Sequence, residues 1–275
     1  MKNASITLKA IVMVLCMASC SSNKQQGDIT EANYLHEDSV LWSTFEKDTE
    51  KLVALWDSMP SKSDSILEVY NAFLEEGNRK NVALALKYAS TPSGFRRLFM
   101  TRNLIAKDTL KAVFNSLSED LQKSEVGLNI KAHLETEQLS EGDTLFLFPC
   151  KDKEGVPFDW EVLKGKQVLL LYGGLGCMGS QGRENLKQLY NRTSRNDLEI
   201  VIFWPSNTLN DLNSVINHYA ADDYLFISDF KQDASPMKIK YGCQATPTCF
   251  LTDKNHVIVV KSEGLDMNRI ETHIE

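Results

Sequence analysis

From about residue 31 to residue 137, apolar positions recur every three or four residues, the period of helices that each bury one face. Leu41, Phe45, Leu52, Leu55 and Trp56 form the first stripe, and Met59-Pro60 is expected to close it. Ser63 and Asp64 can cap a second helix with Ile66, Leu67, Tyr70, Phe73 and Leu74 inside, and Gly77 is expected to end it. Val82, Ala85, Leu86 and Ala89 continue at the same spacing. Thr91-Pro92-Ser93 opens a helix through Phe95, Leu98, Phe99 and Leu104. Asp108-Thr109 and Ser118-Glu119 start two more, the last running through Leu121, Val126, Ile130 and Leu134. These stripes are read as core packing rather than as a groove for a partner.

At Glu141-Gly142-Asp143 the period changes. Residues 144–148 and 157–160 flank the turn Asp152-Lys153-Glu154-Gly155 as an expected strand pair. Residues 167–172 form a nearly continuous apolar run, as in a strand buried on both faces. A helix over 177–190, a strand over 198–204, a helix over 209–219, a strand over 224–227 and a short helix over 236–241 follow. Strands over 248–252 and 257–260 surround Asp253-Lys254-Asn255, and a helix over 267–274 ends the chain. The expected architecture is α/β, a mixed central sheet flanked by helices, preceded by an all-α domain. The expected divisions are 1–19, 20–30, 31–138 and 139–275.

The first two divisions come from charge and apolarity near the amino terminus. Lys2 and Lys9 precede an apolar stretch over residues 10–18, too short to span a membrane and laid out as a secretory signal. Met17-Ala18-Ser19-Cys20 looks like a bacterial lipobox, in which Cys20 is lipidated, and the polar residues 21–28 read as a tether. A lipid anchor facing the periplasm is thus the only expected membrane contact. The chain carries 30 Lys+Arg against 37 Asp+Glu, a net charge of −7, and no basic patch, so no nucleic-acid partner is expected. Of six cysteines, Cys16 belongs to the signal and Cys20 to the anchor, leaving Cys150, Cys177, Cys243 and Cys249 for an oxidising compartment.

The chemistry is expected where a buried strand gives way to a helix, at Gly173-Gly174-Leu175-Gly176-Cys177-Met178-Gly179-Ser180. A cysteine at a helix start lies beside unpaired backbone N–H groups, which favour thiolate over thiol. Ser180, one turn on, is expected to hydrogen-bond that thiolate. Thr246-Pro247 stands at the start of a later strand, where a cis bond is the usual reason for proline.

Together these two elements resemble the TlpA/ResA-like thioredoxin family of exported, membrane-tethered thiol–disulfide proteins, which overlaps the AhpC/TSA group. Leu163-Lys164-Gly165-Lys166 with the following strand, and Lys240-Tyr241-Gly242-Cys243-Gln244-Ala245-Thr246-Pro247-Thr248, match that family's pattern. The helical part resembles, more loosely, the region preceding this domain in Bacteroidetes-type lipoproteins. The resemblance implies a thioredoxin fold, a nucleophile at Cys177 and a substrate-side loop at Thr246 and Pro247. It departs from the family in its motif: Trp-Cys-x-x-Cys is Gly176-Cys177-Met178-Gly179-Ser180 here.

Two readings follow. One is monothiol disulfide exchange on disulfide-bearing or thiol proteins, released by an external reducing thiol. The other is a redox-inactive binding module using the same groove. Cys243 and Cys249 are read as core residues and Cys150 as a surface or edge thiol. A peroxidase site is disfavoured, because Gly174 and Leu170 stand where its hydroxyl and proline belong. The histidines 36, 133, 218, 256 and 273 are scattered, so neither metal nor cofactor is expected.

Overall fold

The computed structural model describes residues 28–58 and 63–274. The expected signal, Cys20 and the expected helix end at Met59 and Pro60 lie outside them. Helices α1 (Glu31–Ser58) and α2 (Ser63–Lys87) pack together. Gly77, expected as a terminator, lies within α2: a Cβ there would be 2.9 Å from the Phe45 ring, which stacks on Phe73. The glycine marks a close helix approach and does not stop the helix.

Helix α3 (Pro92–Thr101) starts where capping chemistry places it, with Thr91 Oγ1 accepting from the Gly94 N–H at 3.2 Å. Helix α4 (Lys107–Ser116) follows. The single helix expected after Ser118 is divided into α5 (Glu119–Lys123) and α6 (Glu125–Glu135). Ser124 adopts extended backbone and its Oγ accepts from the Gly127 N–H, so it caps the second segment instead of continuing the first. Ala85, Phe95, Leu98, Phe99, Leu110 and Ile130 form the core of these helices.

The expected strand pair at 144–148 and 157–160 is reduced to β1 (Lys151–Asp152) and isolated bridges from Thr144 to Val257 and from Lys151 to Pro157. The physical reason is competition for carbonyls. Trp160 Nε1 donates to Phe148 O at 2.9 Å and Tyr241 Oη donates to Phe146 O at 2.7 Å, taking groups that a ladder would use. Trp160–Leu163 is a short 3₁₀ turn, capped by Asp159.

The remaining elements are β2 (Gln167–Tyr172), α7 (Gly179–Arg192), β3 (Leu198–Phe203), α8 (Leu209–Tyr219), β4 (Leu225–Ser228), α9 (Pro236–Ile239), β5 (Thr248–Thr252), β6 (Ile258–Glu263) and α10 (Met267–Glu271). The sheet order is β1-β4-β3-β2-β5-β6. Strands β2, β3 and β4 run parallel, while β5 is antiparallel to β2, and β6 to β5. This is a thioredoxin fold. Strand β2 lies at its centre and has no solvent face. Leu169 and Leu171 pack with Leu186 of α7 and Ile216 of α8, whereas Val168, Leu170 and Tyr172 pack with Phe148, Met237 and Tyr241 on the other side. That two-sided burial explains the unbroken apolar run.

The helical half joins the sheet through α9. Ile239 packs into the helical core. Around it, Leu139 N donates to Lys240 O at 2.9 Å, and Arg102 Nη2 to Lys238 O at 2.6 Å. No helix among the described residues is long and apolar enough to cross a membrane.

Two helical glycines are fixed by backbone contact. A Cβ on Gly94 would meet the Tyr88 carbonyl, and one on Gly127 the carbonyls of Leu121 and Gln122. Alanine gains about 1 kcal/mol of helix propensity over glycine, but overpacking costs about 1–3 kcal/mol and the obstacle here is main chain. Gly94→Ala and Gly127→Ala are therefore expected each to destabilise the protein by about 1–2 kcal/mol. A lowered urea midpoint at constant m-value checks this.

Candidate active site

Strand β2 ends at Tyr172 and runs into Gly173, Gly174, Leu175 and Gly176 before Cys177, while β5 begins directly after Ala245-Thr246-Pro247. The antiparallel register pairs Tyr172 with Thr248, so the two loops leave the sheet side by side. Their approach is close enough to need glycine. Gly174 has φ of 92°, and a Cβ on it would be 2.5 Å from Pro247 N; one on Gly173 would be 3.3 Å from Thr246 Cγ2. The Thr246–Pro247 peptide bond is cis.

Cys177 is exposed, and its Sγ lies 3.3 Å from Thr246 Oγ1. In the thiolate form only the threonine hydroxyl can be the donor. The helix does not begin at residue 177 as expected; α7 starts at Gly179, and Cys177 sits in the preceding turn, where Met178 N donates to Gly174 O and Gly179 N to Gly176 O. Gly179 has φ of 66°, a left-handed step between Cys177 and Ser180. The expected bond from Ser180 to Cys177 does not form among the described residues. Ser180 lines a different cleft, of about 330 Å³, with Leu175, Arg183 and Tyr219. Thus the structure brings together Cys177, Thr246 and Pro247 and leaves Ser180 aside.

That second cleft holds two residues that sequence reasoning passed over. A Cβ on Gly176 would lie 2.7 Å from Tyr219 Oη, so the tyrosine hydroxyl fills the space of a side chain there. Arg183 Nη1 donates to Leu175 O at 2.8 Å and its guanidinium lies over the Tyr219 ring. The one sequence signal was glycine where the resembling family has tryptophan; nothing in the sequence says which residue occupies the vacated space.

The other three cysteines are buried. Cys243 and Cys249 are core residues on opposite faces of the sheet. Cys150, expected as a surface or edge thiol, does adjoin the edge strand β1 but is buried, packed with Phe148 and Tyr241, and its carbonyl accepts from Phe158 N at 3.0 Å. The chain turns inward there because Phe148 and Cys150 both face the core while Phe146, Leu147 and Pro149 stay out. Burial pushes each of these three thiols up to about 12, which keeps them protonated at neutral pH. Among the described residues, no three His, Cys, Asp or Glu side chains gather as metal ligands.

Accessibility and protonation together predict one reactive thiol among these four. Iodoacetamide at pH 8 under native conditions is expected to label Cys177, with Cys150, Cys243 and Cys249 labelled only after denaturation. Peptide mass spectrometry with and without urea checks it.

No protein-family profile and no curated protein matches the chain. Solved structures do resemble it. The thioredoxin domain of a thiol-disulfide oxidoreductase from Bacteroides vulgatus is 20% identical, covering 50% of this chain and 100% of that one, with a TM-score of 0.42. A thiol-disulfide oxidoreductase from Bacteroides fragilis is 17% identical, covering 48% and 99%, with a TM-score of 0.39. A thiol peroxidase from Chromobacterium violaceum is 14% identical, covering 50% and 87%, with a TM-score of 0.40. At such identities none of them transfers a residue role to this chain.

Proposed function

We propose that this chain is an exported, lipid-anchored thioredoxin-fold protein that performs monothiol disulfide exchange through Cys177. The observation that carries the reading is the pairing of the exposed Cys177 Sγ with Thr246 Oγ1 beside Pro247. The export and anchoring parts rest on the signal-like residues 1–19 and on Cys20 in its lipobox-like setting.

In the proposed cycle the Cys177 thiolate attacks one sulfur of a substrate protein's disulfide. A new bond forms between Cys177 and that sulfur, the substrate S–S bond breaks, and the second substrate sulfur leaves as a thiolate that takes up a proton. Thr246 donates its hydroxyl to Sγ and holds it facing the incoming disulfide, while the loop at Pro247 borders the substrate chain. Release needs a second thiol. An external thiol attacks the substrate sulfur of the mixed disulfide, forms a disulfide with it and returns Cys177 as thiolate. Each step exchanges one S–S bond for another, so no separate oxidant is required. Partners are therefore disulfide-bearing or thiol proteins and an external reducing thiol; contact with membrane is through the anchor, and nucleic acid has no part.

A second reading is favoured by one observation. Cys150, Cys243 and Cys249 are all buried, so no described cysteine is exposed to resolve a disulfide on Cys177. On that reading the same groove binds a partner without turnover.

Trapping distinguishes the two. Incubation with an oxidised peptide disulfide is expected to give a Cys177–peptide mixed disulfide, which an added small thiol releases. Thr246→Val is expected to slow its formation about tenfold or more, the effect of one hydrogen bond to a charged group. Ser180→Ala is expected to leave the rate unchanged. Binding of the peptide without any mixed disulfide would establish the binding module instead.

A further inference from the structure

Lys238, Ile239 and Lys240, at the C-terminal end of α9, have carbonyls for which a helix end offers no donor of its own. Donors reach all three from outside the sheet. Arg102 Nη2 donates to Lys238 O at 2.6 Å, Gln138 Nε2 to Ile239 O at 3.1 Å and Leu139 N to Lys240 O at 2.9 Å. Further along, Asn103 Nδ2 donates to Gly242 O. Gly242 has φ of 70°, and a Cβ on it would be 3.2 Å from Gln138 Cγ.

Arg102 holds this segment at a second point. The residue is wholly buried, and its Nη1 donates to Phe99 O at 2.7 Å. In the orientation that satisfies its amide, Gln244 accepts through its side-chain oxygen from Nη1 and Nη2 of Arg102. The Gln244 nitrogen then donates to Met100 O at 3.3 Å. One guanidinium thus ties α3 to both ends of residues 238–244. Every acceptor is neutral, and Arg102 forms no ion pair among the described residues to offset the cost of burying its charge. An apolar side chain of similar volume could fill the same space. It could not hold two separate points of a segment in one plane, as a guanidinium does.

Gln244 stands two residues before Thr246. On the far side the sheet takes over: Thr248 Oγ1 donates to Ala245 O at 2.7 Å and Gly264 N to Pro247 O at 2.8 Å. Between these anchorages Thr246 is exposed, and its Oγ1 lies 3.3 Å from Cys177 Sγ.

We propose that Arg102 and Gln244 are positioning residues of the Cys177 site, fixing from the helical half where the Thr246 hydroxyl stands. The consequence for disulfide exchange rests on the function proposed above. A misplacement of about 1 Å is enough to cost a reacting group much of its rate.

Gln244 is the position to vary, because removing Arg102 would strip Phe99 O and Lys238 O of their donor. Two rates are read in the full chain. One is formation of the mixed disulfide with the oxidised peptide; the other is alkylation of Cys177 by iodoacetamide, which needs no substrate disulfide. Gln244→Ala is expected to slow both about threefold or more. Gln244→Glu keeps an acceptor for Arg102 and is expected to restore both to within about twofold of the unaltered protein. The double variant Gln244→Ala/Thr246→Val is expected to be no slower than Thr246→Val alone, since the pair acts only through Thr246. A merely structural role would make the two losses multiply. Unchanged rates in Gln244→Ala, multiplying losses in the double variant, or a Gln244→Glu as slow as Gln244→Ala would each overturn the proposal. Were the unaltered protein to form no mixed disulfide, the exchange reading would fall, and the alkylation rates would still decide the role of Arg102 and Gln244.

Discussion

The antiparallel pairing of β5 with β2 is the constraint on which the site depends. Because Tyr172 faces Thr248 in that register, the last residue of one strand and the first of the other emerge at the same edge. A slip of one residue would turn every side chain of β5 to the opposite face, moving Cys249 and Leu251 out of the core they share with Leu171. The register is therefore held by burial on both faces. What emerges from it, the Gly173-Gly174 turn and the Thr246-Pro247 loop, has little freedom of its own. Glycine at 174 is required because the proline backbone occupies the space of a Cβ. The exposed thiol of Cys177 is thus positioned by the interior of the sheet.

Burial on two faces also decided what could be read from sequence. The runs that became β2 and β3 stand out because no position in either faces water, and the helix expected over 209–219 coincides with α8, whose start the structure shows to be held by a capping box at Thr208. Element boundaries failed where side chains compete with main chain. Ser124 ended a helix that its apolar spacing would have continued, and the hydroxyl of Tyr241 took a carbonyl that an expected strand at 144–148 would have paired. Gly77 misled in the other direction, since a glycine needed for helix contact and one needed for helix termination look alike in a sequence. Cys177, Thr246 and Pro247 were legible as two motifs in the right order. The partner of the thiol was not, because choosing between Ser180 and Thr246 requires the left-handed turn at Gly179.

The helical half is more than a spacer in this arrangement. Its core includes Ile239 of α9, and its Arg102 donates to the carbonyl of Lys238, two positions inside the sheet domain's own sequence. Asn103 and Gln138 add donors to Gly242 O and Ile239 O on the same segment. The segment that leads into Thr246 and Pro247 is consequently braced from the helical side before it reaches the sheet. Removing the helices would expose Ile239 and leave several carbonyls of that segment without their donors.

Tyr219 reaching over Gly176 has a consequence for how this sequence could change. A bulky residue cannot enter at position 176 while the hydroxyl stands 2.7 Å from where its first side-chain carbon would be. Withdrawal of Tyr219 would also disturb its neighbours, because the Arg183 guanidinium lies over its ring and Trp204 stands beside it. The two positions are thus coupled: a side chain at 176 requires the Tyr219 hydroxyl to move aside. A substitution at either position is therefore felt at the other, although one lies in the loop and the other at the end of α8.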